Sequence, residues 1–303
     1  MSTNPDQIID RRRLKRRITA WRTLAIVAAV AALALVVQNQ IGDQIGGDHV
    51  AWLNVRGIII ESRDREESLR RVAEDDRAKA LIVYIDSPGG TTYGGEELFH
   101  GLREIASEKP VVAVIGTLGT SAGYLVALAS ERIFARATSL TGSIGVLMET
   151  AEISKLLESI GVSTDAIKSG AFKGTPSPFE PMSEVSRTVV QSVVDDSYRW
   201  FVGILAERRG LSSDEARELS DGRVYTGRQA LEAGLIDELG STADARQWLE
   251  HEHNISSGLP LRDSFDPDTH EHWVGRLLGL AKKMVFSERL TLDGLISLWH
   301  PDS

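Results

Sequence analysis

The amino-acid sequence predicts an α/β fold in which a largely parallel sheet is covered by helices on its faces. Several predicted strands are near-continuous apolar runs, such as LIVYID at 81–86 and PVVAVIG at 110–116, which is typical of strands buried on both faces. Helical segments separate these runs, and such alternation favours a parallel strand arrangement. With 303 residues, 42% of them hydrophobic, the chain can bury a large core in one or two domains.

The predicted elements of the first half begin at residue 49. In chain order they are one or two strands at 49–60, a charged amphipathic helix at 65–80, a strand at 81–86 that ends at Ser87-Pro88-Gly89-Gly90, a helix from about Gly95 to Ser107, a strand at 110–116, a glycine-rich turn and apolar helix within 116–133, and short segments at 132–137 and 141–147. Short apolar runs next to Gly and Pro predict the strands, and apolar residues at helical spacing predict the helices.

The second half is predicted to begin with one long helix from Met182 to about Gly210. Ser183 suits its N-cap and Gly210 its stop, because a hydroxyl accepts the first free N–H groups and glycine tolerates the conformation that ends helices. A turn and a short helix with Thr226 as N-cap follow within 221–240. Residues 273–286 predict a basic amphipathic helix that binds a partner subunit, lies on a membrane surface or packs on its own domain.

The N-terminus predicts a membrane anchor. Seven basic residues lie between Arg11 and Arg22, and the strictly apolar run LAIVAAVAALALVV follows at 24–37. The run is shorter than the roughly 20 residues of a full span, but flanking residues through Ile41 extend it to about that length. A cleaved signal peptide is the main alternative, although no A-x-A site follows the run. A buried soluble helix would need a polar face, which the run lacks.

The basic flank orients this anchor. It predicts a single-pass protein of the inner (cytoplasmic) membrane, with the N-terminus in the cytoplasm and the α/β domain on the outer, periplasmic side. The predicted parts are a basic cytoplasmic segment (1–22), a transmembrane anchor (23–41), a linker (42–49), the α/β domain (50–250) and a C-terminal extension with the amphipathic helix (251–303). A net charge of −9 argues against general nucleic-acid binding. The absence of cysteine excludes disulfides, thiolate metal sites and a cysteine nucleophile.

Ser121, in GTSAGYLVA at 119–127, is a candidate nucleophile at the start of a predicted helix. The alternative is a helix N-cap, a common role of serine at such a position. A nucleophilic serine needs a base and N–H donors for the oxyanion. No histidine lies between residues 101 and 250, and His100 suits the surface of its helix. The usual pairing of serine with histidine is therefore disfavoured.

A lysine is the alternative base, provided that apolar surroundings without a paired carboxylate lower the pKa of its amine. Lys173 lies in KSGAFKGTPSPF at 168–179, and no Asp or Glu occurs between Asp165 and Glu180. Lys168 shares this segment and is the competing candidate, and a solvated surface lysine is the ordinary alternative for both. The two glycines of IDSPGG, at 85–90, could offer N–H groups to an oxyanion or could simply form a strand-to-helix turn.

Taken together and in order, five segments resemble the signal peptide peptidase A family of membrane-anchored bacterial serine peptidases, which shares the fold of the Clp protease and crotonase superfamily. The segments are YIDSPGG, GTSAGYLVA, TGSIGV, KSGAFKGTPSPF and DGRVYTGRQALEAGLIDELG, and the resemblance covers about residues 50–245. It implies that Ser121 is the nucleophile, Lys173 the general base and Ser143 the serine that hydrogen-bonds this lysine. The implied oxyanion donors are Gly89 or Gly90 and the N–H of Ala122.

The resemblance implies an endopeptidase that hydrolyses cleaved signal peptides and other apolar peptides without a metal or cofactor. It is closest to the short, single-repeat form, for which a homo-oligomer in an octameric ring is implied, with the serine and lysine from one chain or from neighbouring chains. Gly174 departs from the family pattern, in which a polar or acidic residue often follows the lysine, and this leaves Lys168 open as the base. The alternatives are a membrane-bound Clp-class peptidase acting on specific membrane proteins, a catalytically silent scaffold and a CoA-binding crotonase relative.

Overall fold

The structure is a computed structural model, and it describes residues 21–22, 25–28, 47–264 and 296–298. The chain divides into two units, Met1–Asp48 and His49–Ser303. Residues 21–22 and 25–28 of the first unit are helical. The rest of the predicted anchor at 23–41 lies outside the described residues, as does the predicted helix at 273–286. Within the described residues, no helix combines the length and apolar character that crossing a membrane requires.

The second unit contains alternating strands and helices. The strands are β1 (His49–Ile59), β2 (Ala78–Thr91), β3 (Val111–Thr120), β4 (Arg132–Ala135), β5 (Leu140–Gly142), β6 (Val224–Thr226), β7 (Glu238–Leu239), β8 (Leu261–Asp263) and β9 (Ile296–Leu298). The helices are α1 (Arg63–Glu74), α2 (Thr92–Ala106), α3 (Ala122–Ala127), α4 (Ser154–Ser159), α5 (Glu184–Arg209), α6 (Ser213–Glu218), α7 (Gly227–Glu232) and α8 (Thr242–His253).

The strands form one sheet in the order β6-β5-β3-β2-β1-β8, with β4 beside β3, β7 beside β4 and β9 beside β2. Among the described strand pairs, β5–β6 and β2–β9 are antiparallel and the others are parallel. The predicted α/β fold with a mostly parallel sheet is therefore confirmed, and the architecture is consistent with the Clp and crotonase type.

Strand β2 is buried on both faces, as its apolar run predicts. Leu81 and Val83 lie in the larger apolar core, which also contains side chains of α2, α3 and α5. Ile82 points to the opposite face and lies in a smaller core with side chains of α8. All three side chains are fully buried. Helices therefore cover both faces, and the ends of β2 and β3 carry the segments in which the candidate site residues occur.

Three predicted helix ends are confirmed. Ser183 caps α5 by accepting a hydrogen bond from the Ser186 N–H, and Gly210 ends the same helix in the left-handed conformation, with φ 64°. Thr226 forms a capping box with Gln229 at the start of α7. Each residue performs the role that its residue type predicts, because capping depends on contacts within a few residues along the chain.

Two predicted boundaries around Ser87-Pro88-Gly89-Gly90, hereafter the glycine turn, are wrong. Strand β2 does not end before Ser87 but continues through Gly89 and Gly90 to Thr91. Helix α2 then begins at Thr92, ahead of Gly95, because Thr91 caps it. Gly95 lies inside the helix, where a Cβ would come within 3.1 Å of the Ala122 side chain. This glycine therefore permits close packing of α2 against α3 and does not mark a helix start.

Two other predicted elements are shorter than expected. Helix α1 ends at Glu74, before the predicted residue 80, because Ala78 already pairs with β1 as the first residue of β2. The segment predicted at 141–147 contributes only the strand Leu140–Gly142. In both places sheet pairing sets the boundary, and the local sequence pattern does not contain that information.

Residues 145–200, hereafter the exposed segment, contain no buried residue. They include α4, in which no residue is buried, and the first part of α5. Large apolar side chains are exposed along the whole segment: Leu147, Leu156, Ile160, Val162, Ile167, Phe172, Phe179, Val185, Val189 and Val193. Apolar surface on this scale usually marks a site of contact with a protein partner or a membrane.

Candidate active site

Ser121 lies between β3 and α3 and is almost fully buried. Its backbone has φ 56° and ψ −121°, a positive φ that residues with a side chain rarely adopt. Two hydrogen bonds hold this conformation: the Ser121 N–H donates to the Gly142 carbonyl at 2.8 Å, and the Leu125 N–H donates to the Ser121 carbonyl at 3.0 Å. Such strain on a strand-to-helix turn is found at functional serines, including the nucleophile elbow of hydrolases.

Ser121 does not cap α3 in the manner of the other cap residues. Its side chain makes no capping hydrogen bond to the helix, and its backbone is not extended. Ser183 and Thr226, by contrast, have extended backbones and accept the expected bonds. The capping alternative therefore accounts for neither the position of the hydroxyl nor the positive φ.

Ser143 lines the same cavity as Ser121. The cavity has a volume of about 310 Å³, and its walls also include residues 144–147, Tyr198 and residues 220–222. Ser143 has a positive φ of 48°, and its N–H donates to the Arg223 carbonyl at 2.8 Å. The structure thus brings together two of the predicted site residues, each on a conformationally constrained turn.

The two glycines of the predicted oxyanion hole lie at the end of β2. Gly89 has φ 110°, and its N–H donates to Ser87 Oγ at 3.0 Å. Gly90 faces β1 so closely that a Cβ would collide with the Ile59 carbonyl. A Cβ on Gly123, in the first turn of α3, would lie 3.1 Å from the Ser87 carbonyl. The glycine turn therefore lies directly against the helix that follows Ser121.

Ala122, the other predicted oxyanion donor, is the first residue of α3 and is fully buried. The first N–H groups of a helix have no carbonyl partner within the helix. They also lie at its positive end, where they can stabilise a negative charge. Ala122 thus lies directly after Ser121, at the N-terminal end of α3.

The two candidate lysines have different surroundings. Lys168 forms an ion pair with Glu180. A carboxylate beside an amine favours its charged form, which cannot act as a base. Lys173 is exposed, and no carboxylate lies within ion-pair distance of it in the part of the chain that the structure describes. It does not line the cavity that contains Ser121 and Ser143. Within one subunit the structure does not bring Lys173 together with the predicted nucleophile.

The described histidines offer no substitute base. His49 lies 3.9 Å from Asp75, His100 is exposed on α2, and His251 and His253 lie at the end of α8. None of these four lines the Ser121 cavity. The remaining histidines are outside the described residues. Among the described residues there is also no cluster of His, Asp and Glu that could hold a metal ion.

The structure adds polar residues that the sequence did not single out. Asp221 lines the cavity, and Arg223 Nε donates to its Oδ2 at 2.8 Å. The hydrogen bonds from Arg223 lower the pKa of the Asp221 carboxyl. Tyr198, on another wall, donates its hydroxyl to the Ser220 carbonyl at 2.8 Å. The Asp221–Arg223 contact is local, whereas the bond from Tyr198 spans 22 residues and arises because α5 packs beside the turn that precedes β6, so spacing in sequence gives no signal of it.

Ser87 and Thr120 are two further polar residues at the site, and both are fully buried. Ser87 Oγ donates to the Gly57 carbonyl at 2.6 Å, and Thr120 Oγ1 donates to the Pro88 carbonyl at 3.1 Å. Their adjacency to SPGG and to Ser121 is visible in the sequence, but their partners lie about 30 residues away along the chain.

Comparison with known proteins places the chain in a family of peptidases. Residues 103–256 match the model of peptidase family S49. A Synechocystis protein named "Putative protease" is 38% identical over 201 residues, covering 66% of this chain and 72% of the relative. An Enterococcus faecium protein named "Putative signal peptide peptidase SppA" is 31% identical over 255 residues, covering 79% of this chain and 74% of the relative.

A longer relative is also similar. The Haemophilus influenzae protein named "Protease 4" is 30% identical over 249 residues, which is 77% of this chain but 40% of the relative. The chain combines an α/β fold with a buried serine on a strained turn. The chain belongs to peptidase family S49. The expected relationship to signal peptide peptidase A proteins is confirmed at the level of the family.

Proposed function

We propose that this chain is a membrane-anchored serine endopeptidase in which Ser121 is the nucleophile and Lys173 the general base. The observation that carries the proposal is Ser121, which is buried, held at a positive φ, engaged in no capping bond and located at a cavity beside the glycine turn. Membership of a peptidase family supports the reaction class.

The proposed reaction has two stages. Neutral Lys173 Nζ takes the proton of Ser121 Oγ as Oγ bonds to the carbonyl carbon of the scissile peptide. The C–N bond of the tetrahedral intermediate then breaks, and the ammonium group returns the proton to the leaving amine. In the second stage Nζ takes a proton from water, whose oxygen attacks the acyl-enzyme. The carboxylic acid leaves, and Ser121 regains its proton.

The oxyanion is stabilised in both stages by backbone N–H groups. One proposed donor is the Ala122 N–H, at the start of α3. We assign the second to Gly90, because the Gly89 N–H already donates to Ser87 Oγ. Ser143, which lines the Ser121 cavity, is proposed to hydrogen-bond Lys173 Nζ and hold it in place.

The substrate is proposed to bind in extended form along the glycine turn. The chain's own strand β9 pairs antiparallel with this edge, opposite Gly89, Gly90 and Thr91. The pairing supports the proposal, since it shows that the edge accepts an extended polypeptide through main-chain hydrogen bonds. A substrate would have to displace residues 296–298 from the edge in order to bind there.

We further propose that Lys173 acts on Ser121 of a neighbouring copy, within a homo-oligomer. Lys173 is exposed and lies outside the Ser121 cavity of its own subunit. It belongs to the exposed segment, whose apolar side chains have no cover within one subunit. Packing this segment on a second copy would bury those side chains and surround the lysine with the apolar environment that a neutral amine requires. An eight-membered ring is the proposed assembly.

The proposed substrates are cleaved signal peptides and other apolar peptides. Ile144, Val146 and Leu147 contribute apolar walls to the Ser121 cavity, which suits an apolar side chain. The name of the Enterococcus relative, a signal peptide peptidase, supports the same substrate class. The basic and apolar N-terminal sequence supports an anchor in the inner membrane with the catalytic domain on the periplasmic side, close to where signal peptides are released.

Hydrolysis of an apolar peptide by three alanine variants tests the proposal. Ser121→Ala and Lys173→Ala should each lower kcat by about 10³-fold or more, since each removes a group that acts in the chemical step. Lys168→Ala is the matched control and should retain most activity, because Lys168 is engaged by Glu180. Near wild-type turnover in either of the first two variants, or an equal loss in the control, would contradict the assignment.

A further inference from the structure

We propose that Thr120 and Ser87 are positioning residues that clamp the Pro88–Gly89 peptide group, the unit immediately before the one that carries the Gly90 N–H, and thereby restrict the orientation of this donor in the oxyanion hole. This inference rests on the proposed function, since it assigns a role to two residues in the same reaction. Neither side chain is proposed to touch the substrate. Each acts through the backbone of the glycine turn.

The two hydrogen bonds act on opposite sides of one peptide group. Thr120 Oγ1 donates to the Pro88 carbonyl at 3.1 Å, and the Gly89 N–H donates to Ser87 Oγ at 3.0 Å. Pro88 C=O and Gly89 N–H belong to the same planar unit and, in a trans peptide, point in opposite directions. A partner on each side holds this plane. The next plane, which carries the Gly90 N–H, is joined to it through Gly89, and a glycine would otherwise permit many orientations there. Pairing of Gly89 and Gly90 with Ile58 and Ile59 of β1 limits that rotation, so the held plane and the sheet together set the direction of the Gly90 N–H.

The acceptor on the Ser87 side is itself fixed. Ser87 Oγ donates its hydrogen to the Gly57 carbonyl at 2.6 Å, so its oxygen faces the Gly89 N–H as an acceptor. Both Ser87 and Thr120 are fully buried. Water therefore cannot replace a lost partner readily, and a buried carbonyl or N–H left without one is unfavourable.

Thr120 links the two halves of the proposed oxyanion hole. It immediately precedes Ser121, and it pairs with Gly142, the residue whose carbonyl accepts the Ser121 N–H. One hydroxyl thus connects the backbone that carries the nucleophile to the turn that carries Gly90. Loss of this bond should leave Ala122 in place and release the glycine donor, which would weaken transition-state stabilisation more than substrate binding.

Steady-state hydrolysis of an apolar peptide by full-length variants tests the inference. Thr120→Val removes the hydroxyl with little change in volume, and kcat should fall roughly 10- to 100-fold, less than for complete loss of a donor, with KM within about twofold. Thr120→Ser keeps a hydroxyl and should restore most of kcat. Thr141→Val is the matched control: Thr141 is equally buried, and its hydroxyl donates to the Gly119 carbonyl of β3 at 2.7 Å and not to the glycine turn.

The pattern across these variants decides the question. A loss confined to Thr120→Val and rescued by Thr120→Ser supports the clamp. Unchanged kcat in Thr120→Val, or an equal loss in Thr141→Val, overturns it, because the effect would then be absent or merely one of packing. Ser87→Ala should reproduce the loss of kcat if it folds. Wild-type protein that hydrolyses no peptide would overturn the proposed function and this inference together, whereas wild-type turnover with an unaffected Thr120→Val overturns the inference alone.

Discussion

The sheet region and the exposed segment differ in how far contacts within one chain bury their apolar side chains and hold their functional residues. In the sheet region, Leu81, Ile82 and Val83 are fully buried, and Ser121 is held by hydrogen bonds from two directions. In the exposed segment no residue is buried, and Lys173 lies on the surface. The proposed nucleophile is thus positioned within its own chain, and the proposed base is not.

Burial of the apolar side chains of the exposed segment would supply free energy for ordering the proposed base. Burying a large apolar side chain stabilises an assembly by about 1.5–3 kcal/mol. Several such side chains, Leu156 and Phe172 among them, are exposed along the segment that carries Lys173. Contact with a second copy would therefore order the lysine and stabilise the oligomer at the same time, so that base and assembly depend on each other.

Outside the proposed catalytic residues, the largest effect is expected from a charge placed in the exposed segment. Leu156→Asp should weaken assembly by about 1.5–3 kcal/mol per subunit, since it replaces an apolar contact by a carboxylate. Activity should fall with the oligomer, and the unfolding of the isolated subunit should change little because Leu156 is 61% exposed. Sedimentation velocity measures assembly and peptide hydrolysis measures activity, each over a range of protein concentrations.

Leu231→Asp is the control for this charge. Leu231 is also exposed but lies on α7, outside the exposed segment. The Leu231→Asp variant should keep the mass of its oligomer and its activity near those of the wild type. If Leu156→Asp assembles and works normally, or if both variants dissociate alike, the exposed segment has no special role in assembly.

A smaller effect is expected on the sheet side of the cavity, from Arg223→Met. Arg223 lowers the pKa of Asp221 below its ordinary 3.8. A lowered folded-state pKa contributes stability above the ordinary value, and this contribution is lost as pH falls through the folded-state pKa. The variant should therefore have a slightly lower Tm than wild type at neutral pH, and the difference should shrink below about pH 4.

NMR titration of the Asp221 carboxyl checks the cause of this difference. Its pKa should rise toward the ordinary value in the Arg223→Met variant. An unchanged pKa, or a difference in Tm that persists at low pH, would show that Arg223 does not stabilise the fold through the Asp221 carboxylate.

Much of the fold could be predicted because it depends on local patterns. Continuous apolar runs predict the buried strands, and Ser183, Gly210 and Thr226 act at helix ends through neighbours a few residues away. The end of β2 and the start of α2 could not be predicted in this way. They depend on pairing with β1 and on the close approach of α3, which involve distant parts of the chain.

The candidate site divides along the same line. Ser121 was predicted from its segment and Ser143 from the family resemblance, and the structure brings them to one cavity. The absence of carboxylates between residues 165 and 180 agrees with an unpaired Lys173, but it did not reveal that Glu180 reaches back to Lys168. The bond from Thr120 to Pro88 spans 32 residues, and no pattern within either segment indicates it.

The most direct test of the account is complementation between two inactive variants. Ser121→Ala and Lys173→Ala subunits, each expected to be inactive alone, are co-expressed and purified as mixed oligomers. If Lys173 acts on a neighbouring copy, random mixing should restore about a quarter of the sites, each with serine and lysine from different subunits. Restored hydrolysis near that level is the predicted result. Mixed oligomers as inactive as the separate variants would contradict a base supplied by a neighbouring chain.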